Sequence, residues 1–227
     1  MYRLFCATAL LTAATLTADA HFVFLVPDTK DAAKALVVLS DELDIDTDVT
    51  TEKIAKIKLK VQDAGGKLAD LPFTTEKHCL KVAVPGTGPR VVFGSVNYGV
   101  MQKGDSKPYL LAYHPKAVVG AVPAGGGKVD AMPAQLIPVA AGGKVKFQFV
   151  SAGGKPIADA EATVLLPEAG KKEKAKTDKD GFTKEFAGAG RYGVWVKYTD
   201  PTPGELDGKK YDEARHYATL VVDVPAK

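Results

Sequence analysis

Apolar and polar residues alternate along this chain with a period of two, and nowhere is an apolar stripe sustained at helical spacing. In Lys144-Val145-Lys146-Phe147-Gln148-Phe149-Val150, valine and phenylalanine fall on one side and lysine and glutamine on the other. Successive side chains of an extended strand point to opposite faces, so this segment predicts a strand with one wet and one buried face. Ile57-Lys58-Leu59-Lys60-Val61 repeats the pattern, and a looser alternation broken by lysines runs back to Ile54. Phe22-Val23-Phe24-Leu25-Val26 is apolar on both faces and predicts a strand covered on both sides. Further strand-like runs are Ala35–Leu39, His78–Val84, Arg90–Val96, Tyr109–His114, Glu161–Leu166 and Gly188–Val196. Between them stands turn chemistry: Asp63-Ala64-Gly65-Gly66, Pro85-Gly86, Gly88-Pro89, Gly153-Gly154-Lys155-Pro156 and Thr177-Asp178-Lys179-Asp180-Gly181. No amphipathic helix of usable length is predicted. The fold class is all-β.

Between Val118 and Gly143 the composition shifts to glycine, alanine and proline, with Gly125-Gly126-Gly127 in the middle. This predicts a hinge or domain boundary. The expected organisation is a leader over 1–20 and two consecutive immunoglobulin-like or transthyretin-like β-sandwich domains, 21–136 and 137–227. In the second, Gly154-Lys155-Pro156-Ile157, Thr177-Asp178-Lys179-Asp180-Gly181 and Gly190-Arg191-Tyr192-Gly193-Val194 resemble carboxypeptidase-regulatory or transthyretin-like modules. That resemblance covers Lys144 to Tyr198 and implies a sandwich that folds by itself; it implies no chemistry.

The beginning of the chain adds location and candidate chemistry. Arg3, the apolar run Leu4–Leu16 and the small-residue pair Ala18-x-Ala20 have the layout of a secretory signal. Cleavage after Ala20 would put the mature protein in the periplasm or outside the cell, with His21 as its first residue. A first-residue histidine offers an α-amine and an imidazole nitrogen, which together close one chelate ring on a metal. The plain alternative is a polar lead-in to the first strand. Cys6 would leave with the signal and Cys79 would remain alone, so no internal disulfide is expected. The formal charge is only +3, which points to no nucleic-acid partner. Apart from the leader no apolar run is long enough to span a membrane.

Several short stretches together resemble a family. His21-Phe22-Val23-Phe24-Leu25-Val26-Pro27, Val38-Leu39-Ser40-Asp41, Tyr109–Ala117, the Gly-Lys-Pro-Ile module and Arg215-His216-Tyr217-Ala218-Thr219-Leu220 are similar to exported bacterial proteins of unknown function often associated with nickel or cobalt uptake. The resemblance spans nearly the whole mature chain and implies an exported protein connected with metal uptake. It supplies no ligand set beyond His21.

The other ligands are therefore weighed by position. If His21 binds a metal, a further imidazole is needed for a three-nitrogen site. His216 is the first choice, because first and last strands often lie side by side in sandwiches, and His114 the second. His216 shares a strand face with Ala218, Leu220 and Val222; His114 shares one with Leu110 and Ala112, and Pro115 is expected to end its strand. His78 reads as a hydrogen-bonded edge histidine. The acidic run Asp41–Asp48 opens like a calcium loop but has Val49 and Ala55 where glycine and glutamate are required, and reads as a solvated turn. No Ser/His/Asp order, nucleophile elbow or phosphate-cradling loop is present, so no enzyme is assigned. The leading expectation is an exported binding protein for a divalent transition metal, copper, nickel or cobalt, that holds the ion or delivers it to an uptake transporter. The alternatives are an envelope or adhesion module without metal, and a copper redox protein using a histidine brace.

Overall fold

The structure is a computed structural model that describes residues 21–226; the expected secretory signal, 1–20, lies outside the described residues. The protein is all-β. Its strands are β1 (Phe22–Pro27), β2 (Lys34–Ser40), β3 (Lys58–Gln62), β4 (Leu68–Leu71), β5 (Phe73–Thr75), β6 (Cys79–Ala83), β7 (Arg90–Met101), β8 (Tyr109–Val119), β9 (Ala134–Ala141), β10 (Lys144–Ser151), β11 (Glu161–Leu165), β12 (Lys172–Lys176), β13 (Phe186–Ala187), β14 (Gly190–Asp200), β15 (Gly204–Leu206), β16 (Lys209–Tyr211) and β17 (Glu213–Val224). No helix among the described residues is long and apolar enough to cross a membrane.

An eight-stranded sheet, in the order β12-β11-β14-β17-β8-β7-β3-β4, forms the middle layer of a sandwich-like arrangement. The four-stranded sheet β1-β2-β6-β5 covers one face, and the three-stranded sheet β13-β10-β9 covers the other. Side-chain parity shows this directly. On β8 and β17, Tyr113, Ala117, Val119 and Val221 enter the core shared with β1 and β2. Their alternates Val118, Ala218, Leu220 and Val222 enter the core shared with β9 and β10. Both central strands are thus buried on two sides, which is why each carries apolar residues at successive positions, Ala117–Val119 on β8 and Leu220–Val222 on β17. The alternating segment Lys144–Val150 forms β10, with Val145, Phe147 and Phe149 buried as its pattern predicts.

The expected division of the chain meets a different geometry. The boundary after Leu136 falls inside β9, and β17 from the second half pairs in parallel with β8 from the first, Glu213 opposite Tyr109 through Val221 opposite Ala117. The two halves share one sheet. The glycine run is packed: Gly126 and Gly127 are buried with φ of 66° and 63°. A Cβ on Gly126 would lie 2.4 Å from Ile137 Cγ2, and one on Gly127 would lie 2.4 Å from Val91 Cγ2. Close approach, not flexibility, selects glycine there.

Two smaller expectations also differ. Residues 51–56 form a turn, closed by Ile54 and Ala55 N–H donating to Thr51 O, and β3 begins only at Lys58. Pro115 does not end its strand: β8 continues to Val119 with Pro115 opposite Thr219. The register with β7 skips Gly94 and Ser95 across from Pro115 and His114, so the missing proline N–H falls where that ladder is interrupted.

Candidate functional site

His21 immediately precedes β1 and is held from three sides. Phe22 pairs with Ser40 and stacks on Trp195, with ring centroids 4.0 Å apart. The phenol of Tyr113 donates to His21 O at 3.2 Å. The Nε2 of His21 lies 2.7 Å from Asp46 Oδ2. Asp46 is aimed by its own turn, because its Oδ1 accepts the Asp48 N–H at 2.8 Å. That backbone bond first, and the His21 imidazole second, hold the Asp46 carboxyl below the usual carboxylate range. A carboxylate only accepts, so Nε2 carries the proton and the Nδ1 of the neutral ring carries the lone pair.

The turn that delivers Asp46 is pinned elsewhere. Lys172 on the edge strand β12 reaches both Asp41 and Glu42 at 2.9 Å. His78, at the start of β6, donates from Nδ1 to Val49 O at 2.7 Å. The acidic run is therefore a tethered strap over the end of the four-stranded sheet. Asp46 is not legible in sequence as a partner of His21 because the tethers come from β6 and β12; the available signal is the Asp46-x-Asp48 spacing of a turn that fixes its first carboxylate.

His114 and His216, the other two predicted ligands, do meet. His114 Nε2 lies 2.8 Å from His216 Nδ1, and Ser95 Oγ lies 2.9 Å from His114 Nδ1. Burial, with a contribution from His216, pushes His114 down to about 3. Burial also lowers His216, against an opposing pull from Asp200. The pair is neutral at physiological pH and forms a hydrogen-bonded relay ending at Ser95. On the same face, Lys116 is wholly buried and donates to Gln135 Oε1 at 3.1 Å and Leu136 O at 3.0 Å. Burial lowers its ammonium to about 7.

The two assemblies stand on opposite sides of the central sheet. Tyr113, which touches His21, neighbours His114 on β8, and Tyr217, which packs on Phe22, neighbours His216 on β17. Adjacent strand residues point oppositely. The first and last strands do not lie side by side: β1 pairs with β2 in the four-stranded sheet and packs across the layers over β8 and β17, and the parity of His114 and His216 turns both away from His21. The predicted three-imidazole site is not assembled, and no group of three or more His, Cys, Asp or Glu side chains able to hold a metal occurs among the described residues. The second imidazole that a copper brace needs is not supplied by either of them. The remaining candidate donors are the two nitrogens, α-amine and Nδ1, that cleavage after Ala20 would give to His21 itself.

Beside His21 opens a cavity of about 450 Å³, walled by Phe22, Tyr98, Tyr109, Tyr113 and Tyr217 with Lys103 and Arg215 at its rim. A cavity of about 520 Å³ lies against β2, β5 and β6, lined by Leu36, Phe73 and Val82, and contains no histidine.

No protein-family model matches the chain, and no curated protein matches it. Among solved structures it is similar to one that concerns host cell surface retention of a 1.5-MDa bacterial ice-binding adhesin, at 11% identity and a TM-score of 0.25. The match covers 90% of this chain and 65% of that one, and a likeness of that strength carries no argument about function.

Proposed function

We propose that this is an exported protein that binds a divalent transition metal at its processed N-terminus, through the α-amine and Nδ1 of His21, and holds the ion or passes it to an uptake transporter. The observation that carries this reading is the Nε2 bond to Asp46. Metal-ligating histidines commonly donate their second nitrogen to a carboxylate, which fixes the tautomer and raises the basicity of the other nitrogen. Here that arrangement leaves Nδ1, the nitrogen that closes the chelate with the α-amine, without a hydrogen-bond partner among the described residues.

Nitrogen donors follow the usual first-row order, so copper(II) binds most tightly in a purified sample whatever ion is carried in the cell. Both donor nitrogens bind only when unprotonated, so affinity falls as pH drops. Isothermal titration with copper(II) and nickel(II) tests the role of Asp46. Asp46→Ala weakens both by about tenfold to a hundredfold while the thermal midpoint moves little. Unchanged affinity in Asp46→Ala would remove the observation on which the reading stands.

A further inference from the structure

We infer that the cavity beside His21 is a binding site for a small planar organic anion of the aromatic carboxylate type. The inference concerns the cavity alone and does not require a metal at His21.

Its shape and walls point to a flat guest. About 450 Å³ lies within the size range of small-molecule sites. The walls are aromatic: Tyr98 meets Tyr113 edge-on at 5.7 Å, Tyr113 stacks near-parallel on Tyr217 at 5.7 Å, and Tyr217 leans on Phe22 at 5.3 Å. Burial raises the Tyr113 phenol and, foremost among its influences, the Tyr217 phenol, so these walls stay uncharged hydroxyls. Offset and edge-on packing of a planar ring on such walls adds to the area it buries.

The charges point to an anion. Arg215 is held in place before any guest arrives: its Nε donates to Glu213 Oε1 at 2.7 Å and its guanidinium lies 3.6 Å from the centre of the Tyr109 ring. Its two terminal nitrogens have no hydrogen-bond partner among the described residues. A guanidinium with its face and inner nitrogen committed and its outer fork open matches a carboxylate in two-point geometry. Lys103 adds a second cation at the rim, and Lys53 a third, 4.7 Å above Tyr98. Among the described residues no carboxylate lines the cavity, and Glu213 and Asp46, which bond its lining residues Arg215 and His21, are engaged by them.

The test uses phthalate, a flat ring with two carboxylates, against succinate, which lacks the ring, and dimethyl phthalate, which lacks the charge. The single Trp195 stacks on Phe22 at the cavity wall, so its emission reports occupancy alongside calorimetry. Phthalate binds one to one and about tenfold more tightly than either comparison compound, with or without metal present. Arg215→Gln weakens it about tenfold, the scale of one lost charge-assisted bond. Lys103→Gln, on the exposed segment between β7 and β8, weakens it about threefold and decides the matter if Arg215→Gln fails to fold. No saturable phthalate binding at millimolar concentration, or equal binding by the variants that fold, would overturn the inference and leave metal binding at His21 untouched.

Discussion

Lys116 takes an ammonium into the interior with only neutral oxygens as partners. Its folded value of about 7 lies below the ordinary 10.5, so between those limits the unfolded chain holds a proton that the folded chain lacks. Stability therefore rises with pH across that window, and below it the full penalty is present. At roughly 1.4 kcal/mol per unit, the contribution is on the order of 5 kcal/mol. Urea unfolding of wild type and Lys116→Met at pH 7 and pH 10 measures it. The variant gains stability relative to wild type at pH 7, and that gain shrinks at pH 10. An identical pH slope in the two proteins would mean that Lys116 is not the charged group the interior resists.

At the scale of single elements, Gly125 to Gly127 separate packing from flexibility. Gly126→Ala forces both a left-handed backbone and a methyl against Ile137 and Pro138, for a loss of about 2–4 kcal/mol. Gly125→Ala has open space beside it and loses about 1 kcal/mol through its φ of 72° alone. Thermal denaturation of the two variants checks the order, and equal small effects would restore the hinge. This segment misleads in sequence because glycine chosen for close approach and glycine chosen for freedom look the same in one dimension. The strands were legible wherever alternation marked a face, as in β10, and wherever a run was apolar on both sides, as in β1. Pro115 misled because proline usually terminates a strand, whereas here a gap in the β7 ladder accommodates it. Of the candidate site, the anchoring of His21 was legible in the buried run after it. The parity that turns His216 and His114 away, and the reach of Asp46, depend on which strands the fold places together.

For the molecule as a whole, the shared sheet is expected to make the two halves one cooperative unit. A fragment from Lys144 onward would lose β9 from its small sheet and β8 from beside β17. Circular dichroism is expected to show a single transition for the intact chain and no cooperative melt for that fragment; two resolved transitions would favour consecutive domains. The proposed export belongs to this scale too, because cleavage after Ala20 would create the amine on which the proposed chelate depends. The decisive measurement is copper(II) affinity of protein beginning at His21, compared with the same protein acetylated on that first amine. Acetylation removes the amine without supplying another, and is expected to weaken binding by more than the roughly tenfold to hundredfold that loss of an outer-shell partner costs, with an unchanged melting curve, whereas His216→Ala, altered behind the central sheet, is expected to bind as wild type does. Equal affinity in the acetylated protein would contradict the claim that His21 is the metal site.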